Sequence, residues 1–131
     1  MGMYTQLHFA SDLKPDTPKE VIEVLEAMAT GRTDNLGKLP DHEFFNCSRW
    51  EVLFTMGSGY FDYDTHCKFW KEGYLDFYVL NVTSNLKNYD SEIEKFLDWI
   101  NPYLDKYDDD FLGYHRYEET EKPTLIFYKA K

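Results

Sequence analysis

Apolar and polar residues alternate from residue 3 to 13, which marks a strand with Leu7 and Phe9 on one side and Tyr4, Gln6 and His8 on the other. Lys14-Pro15-Asp16 ends it. Thr17-Pro18-Lys19-Glu20 then has capping-box spacing with proline at the first helical position, and Val21, Val24, Leu25 and Met28 follow at helical spacing. Gly31 tolerates left-handed geometry and predicts the stop. Residues 32–48 keep neither period, apart from a short helical turn expected over 41–46. A strand is predicted at 50–55 with Gly57-Ser58-Gly59 as its breaker, then a hairpin of 65–71 with 74–83 turning at Glu72-Gly73. Ser91 and Glu94 repeat the capping-box spacing ahead of Ile93, Phe96, Leu97 and Ile100, and Pro102 ends or kinks that second helix. Residues 111–118 and 124–129 predict a closing hairpin around Glu121-Lys122-Pro123.

The order β-α-β-β-β-α-β-β predicts an α+β fold, one mostly antiparallel sheet with two helices on a single face. Leu7, Phe9, Leu75, Phe77 and Val79 are expected beneath the helices. The two-residue period of a strand then places Tyr4, His8, Asp76 and Tyr78 on the opposite, open face. Lys68 and Trp70 join them, as do Arg116 and Glu118, and these eight residues are the candidate binding face. It combines amphipathic rings with both signs of charge, a composition found at binding hot spots.

At 131 residues the chain matches a single globular domain, with Met1-Gly2 read as a cloning scar ahead of a native start at Met3. It holds 3 Trp, 11 Tyr and 10 Phe at a net charge of −10, and the acidic balance disfavours phosphate and makes a basic protein the more plausible partner. No apolar run is long enough to span a membrane and no secretory leader is visible, so a cytoplasmic location is expected. There the sequons at Asn46 and Asn81 carry no meaning, and Cys47 and Cys67 are expected as buried thiols.

Candidate chemistry is sparse. His8, His42, His66 and His115 have no metal-ligand spacing with either cysteine, and no cofactor or metal is predicted. Nothing local activates a thiol for Cys-His catalysis. Asp62 and Asp64, and the cluster of Asp105, Asp108, Asp109 and Asp110, lack the order of a calcium loop and read as solvated charge. No phosphate-cradling glycine loop is present.

Residues 13–28 with their Leu-Lys-Pro-Asp-Thr-Pro start, 85–100 with Asn-Leu-Lys-Asn-Tyr-Asp, and 111–120 with Phe-Leu-Gly-Tyr resemble small bacteriophage and prophage proteins. The resemblance implies a phage or prophage setting in a bacterial host cell and supplies no catalytic residue. The expected function is a non-enzymatic accessory protein that binds a host or phage protein through an acidic, aromatic-rich surface. Two alternatives stand beside it. One is a small-molecule binder or minor enzyme on the same face, with His8 and Asp76 as acid/base groups, Lys68 or Arg116 as anion anchor, and residues 32–48 as cover. The other is a structural homodimer.

Overall fold

Five of the six strands predicted from alternation are strands in the computed structural model, which describes residues 4–56, 65–73 and 77–130. They are β1 (Thr5–Asp12), β2 (His66–Glu72), β3 (Phe77–Leu86), β4 (Phe111–Tyr117) and β5 (Thr124–Phe127), with helices α1 (Lys19–Thr30) and α2 (Glu92–Ile100) between them. The strands form one antiparallel sheet in the order β2-β3-β1-β4-β5. α1 therefore joins two strands that run parallel with β3 between them, and α2 joins two that run parallel with β1 between them. This is the split β-α-β arrangement called ferredoxin-like, extended by β5 at one edge. Such a topology hosts many unrelated functions. Gly57-Ser58-Gly59, Asp62, Asp64, Leu75, Asp76 and Met1 to Met3 lie outside the described residues.

The predicted strand at 50–55 is a 3₁₀ turn, Trp50–Val52, followed by further turns. Trp50, Leu53 and Phe54 are buried whereas Val52 and Thr55 are exposed. That is helical spacing, and it prevails over the β-propensity of the individual residues. The turn expected at 41–46 is present as a 3₁₀ segment, Glu43–Asn46.

Both helices begin differently from the predicted capping boxes. α1 takes Pro18 as its N-cap, and the Thr17 hydroxyl turns back to donate to the Lys14 carbonyl at 2.6 Å. At α2 Ser91 sits in the left-handed region and makes no side-chain cap; Asn88 Oδ1 accepts from the Ile93 N–H at 2.9 Å, while Asn88 Nδ2 donates to Glu94. Glu92 Oε1 accepts from the Asp90 N–H at 2.7 Å, so side chains still satisfy donors near the helix start. Gly31 ends α1 as predicted, at φ 74°, with Arg32 N donating to the Ala27 carbonyl.

One core spans the sheet and both helices. Leu7, Phe9, Leu80 and Val82 meet Val24, Leu25 and Met28 of α1 and Ile93, Phe96 and Ile100 of α2. Much of the aromatic content is spent here. Phe44, fully buried, meets Phe45, Trp50, Phe96 and Trp99, and Phe96 in turn meets Phe9 and Phe54, with ring centres 5.0–6.4 Å apart. These edge-to-face and stacked contacts hold residues 42–54 under α2 without long regular structure. His42 fastens the same segment: its Nδ1 accepts from the Phe44 N–H, which leaves the proton on Nε2 to donate to Asp98 of α2 at 2.9 Å.

Candidate functional site

Register decides which residues share the open face. Phe9 lies opposite Val82 on β3 and Gly113 on β4, so its side of those strands is the inner one. His8, one residue earlier, lies opposite Thr83 and Tyr114 on the outer side. Following the pairing outward gives a row across the sheet: His66, Thr83, His8, Tyr114 and Leu125. One side of this row holds Gln6 beside Asn85 and Arg116, then Tyr4, Lys87 and Glu118. The other holds Lys68 with Asn81 and Ala10, then Trp70 with Val79 and Asp12.

Tyr4, His8, Lys68, Trp70, Arg116 and Glu118 are therefore on the open face as predicted, whereas Tyr78 is not. On β3 the inner residues are Tyr78, Leu80, Val82 and Leu86, and Phe77 and Val79 face outward, the reverse of the predicted parity. Tyr78 stacks on Phe69 of β2 at 5.0 Å and packs against the core. The run from 74 to 83 carries apolar residues on both faces. Its side was settled by the fully buried aliphatic pair Leu80 and Val82, opposite Ser11 and Phe9. Asp76 lies outside the described residues, so the proposed His8–Asp76 acid/base pair has no described geometry.

The remaining face residues fall into separate groups. His8 stacks on Tyr114 at 5.2 Å, nearly parallel, and its Nδ1 lies 3.2 Å from the Thr83 hydroxyl. Gly113 makes that stack possible. At φ +151° next to a β-bulge, its Cα approaches β1 so closely that a Cβ would stand 1.9 Å from the His8 carbonyl oxygen. Glu118 accepts from the Tyr4 N–H at 2.6 Å, and the Lys87 ammonium stands 5.5 Å from the Tyr4 ring centre. Lys68 covers Trp70 at 4.8 Å, and Trp70 Nε1 donates to Glu72 at 3.4 Å.

Two strands separate Lys68 from Arg116, and their levels differ by the four residues between Ala10 and Gln6. At about 4.8 Å per strand and 3.4 Å per residue, their Cα atoms stand roughly 20 Å apart. The two cations cannot hold one small anion. A shallow hollow of about 220 Å³ lies near Gln6, Tyr114, Arg116, Glu121 and Pro123. The expected cover, residues 32–48, lies on the helix side instead: Arg32 and Leu36 border α1, and Phe44 and His42 pack against α2.

Alternation alone did not single out the apolar edge formed by Phe111, Leu125 and Phe127, which are 56%, 52% and 40% exposed. Leu125 and Phe127 flank the inward Ile126, and that spacing was the available signal. Charge is unevenly distributed: Glu20, Glu23 and Glu26 of α1 and Glu94 and Asp98 of α2 are exposed on the helix layer, away from the cations of the face.

Neither thiol suits nucleophilic chemistry. Burial pushes Cys67 up to about 12, and Cys47 is also raised, first by burial and then by Glu92, Asp90 and Glu43, against a lowering by Lys95. Cys67 faces inward opposite Val82, while His66 faces outward. The acidic turn spends its carboxylates internally: Asp108 accepts from the Ala130 N–H, Asp110 from the Tyr107 N–H, and Asp109 pairs with Lys129. Among the described residues, no group of three His, Cys, Asp or Glu side chains could hold a metal ion, and no helix is long and apolar enough to cross a membrane. No protein-family model, curated protein or solved structure matches the chain.

Proposed function

We propose that the chain is a non-enzymatic binding protein, of a phage or prophage setting, that docks a protein partner on the open face of its sheet. The observation that carries this reading is the side of the sheet turned away from both helices, with Trp70 and Lys68 at one edge, Phe111, Leu125 and Phe127 at the other, and the half-buried Arg116, His8 and Tyr114 between. Gln6, Thr83 and Asn85 of the same face are buried, so the contacts would gather at its edges, where Phe111, Leu125 and Phe127 are exposed. The wide separation of the polar groups suits many dispersed contacts and not a single small molecule.

The test compares the wild-type chain with a Trp70→Ser/Leu125→Ser/Phe127→Ser variant, and with Tyr107→Ser, which removes a ring 85% exposed in a distant turn. Each is used as bait in a bacterial lysate, and captured proteins are then titrated individually at moderate salt. A saturable partner lost only by the triple variant supports the reading. Retained binding by that variant, or the absence of any saturable partner, overturns it. Solution mass across a concentration series separates a second copy from a different partner, and a strict monomer excludes the homodimer.

A further inference from the structure

A second concavity lies on the other side of the sheet and shares no residue with the open face. His115 and Tyr117 alternate with Tyr114 and Arg116 along β4 and point to the helix side, beyond the start of α2. With Thr5, Asn88 and Tyr89 they line a hollow of about 250 Å³. That is below the ~300–1,000 Å³ of drug-sized sites and suits a small head group.

We propose that this hollow binds an organic cation, an alkylammonium or methylated ammonium group, against the rings of Tyr89 and Tyr117. Three observations converge on that chemistry. Thr5, His115 and Tyr117 border the hollow, and their hydroxyl and imidazole groups can accept from the N–H of a protonated amine. Two tyrosine rings form its aromatic wall, and such rings attract cations through the negative face of the π-system. The surroundings are acidic: the Tyr117 hydroxyl is raised above its ordinary value by desolvation, then by Glu119, Glu118 and Tyr89, and Asp90 adjoins Tyr89. One cation already uses this wall. The Arg49 guanidinium stands 5.6 Å from the centre of the Tyr89 ring. Its charge opposes an incoming cation and would assist an anion, so Arg49 reports the sign of the ligand.

Tetramethylammonium chloride, a short peptide carrying trimethyllysine, and tert-butanol as a neutral isostere of the same size would each be titrated into the full chain and followed by ¹H–¹⁵N spectra. Both cations should saturate with shifts centred on Thr5, Asn88, Tyr89, His115 and Tyr117, and the neutral isostere should bind at least ~10-fold more weakly, about 1.4 kcal/mol. Tyr117→Ala and Tyr89→Ala should each weaken the cations by ~10-fold, Tyr117→Phe should retain most of the affinity, and Arg49→Gln should strengthen binding several-fold. A peptide much tighter than tetramethylammonium assigns the cation to a side chain of a partner, and equal affinity assigns it to a free amine. Equal binding of the neutral isostere, weaker cation binding by Arg49→Gln, or no saturable cation binding by a wild-type chain with a native spectrum overturns the proposal.

Discussion

Gly113→Ala tests the contact that shapes the open face. The added Cβ would lie 1.9 Å from the His8 carbonyl oxygen, 2.8 Å from its carbon and 3.0 Å from Phe9 Cα, all backbone atoms that cannot rotate away. Ordinary contact begins near 3.4 Å, so β4 would have to retreat from β1 by about 1.5 Å at this point. An L-residue at φ +151° adds strain of about 1–3 kcal/mol. Each ladder hydrogen bond loosened by the retreat adds about 0.5–1.5 kcal/mol. The expected total is about 3–5 kcal/mol, a large share of the ~5–15 kcal/mol that holds a typical domain. Urea unfolding measures it, and Tm should fall by roughly 10 °C or more. Gly37→Ala is the control, because a Cβ there meets nothing within 4 Å, and it should be neutral or stabilising by up to about 1 kcal/mol. If Gly113→Ala unfolded at the same urea concentration as Gly37→Ala, the pairing of Phe9 with Gly113 and the stack of Tyr114 on His8 would both be wrong.

Three further outcomes rest on placement and burial. Tyr78→Ser should cost about 2–4 kcal/mol and Trp70→Ser under about 1 kcal/mol, because the first ring packs into the core and the second lies on the open face; equal losses by thermal unfolding would mean that the two share a face. Phe44→Ala removes the ring at the centre of the aromatic cluster and should cost about 3–5 kcal/mol, with amide exchange accelerated most over residues 42–54; unchanged exchange there would show that the segment is held by something else. Cys67 contributes to alkaline behaviour: an unfolded thiol releases its proton from about pH 9, the folded one only near 12, so the stability it supports is complete below pH 9 and declines as pH rises across that window. Cys67→Ala should lose less stability between pH 9 and 12 than the wild type, and identical slopes in alkaline denaturation curves would refute the assignment.

Strands and helices were legible where one period dominated. Leu7 and Phe9, Val21 to Met28, and Ile93 to Ile100 each carry a single apolar face, and their elements stand within a few residues of expectation. Legibility failed where two readings used the same residues. Trp50, Leu53 and Phe54 are strand formers one by one but bury together only at helical spacing. Thr17 and Ser91 have the spacing of caps, yet the caps that form use Pro18 and the more distant Asn88, because local hydrogen bonds compete on nearly equal terms at helix ends. Alternation also carries no information on strand order, which arises from how two helices cross one sheet.

The candidate face shows the same division between what a period conveys and what register adds. Period two identified Tyr4, His8, Lys68, Trp70, Arg116 and Glu118, but only the pairing of β2 with β3 and of β1 with β4 separates them into two ends with His8 between. That separation removes a convergent anion site, and with it the simplest catalytic reading of the face. It also changes what the aromatic surplus means. Rings that make the composition unusual, Phe44, Phe45, Trp50, Phe96 and Trp99 among them, lie in the core, where they hold an irregular segment. Among the described residues, Trp70, Phe111 and Phe127 sit at the two edges of a mixed-charge sheet, Tyr89 and Tyr117 line the hollow on its other side and Tyr107 stands in a distant turn, while exposed carboxylates of α1 and α2 occupy the helix layer. A partner at the open face would therefore meet apolar edges and local hydrogen-bonding groups, with the exposed carboxylates of α1 and α2 acting from the far side as a long-range field. Salt should then alter how fast such a partner arrives more than how long it stays, because screening weakens distant charges and leaves desolvated edge contacts nearly untouched.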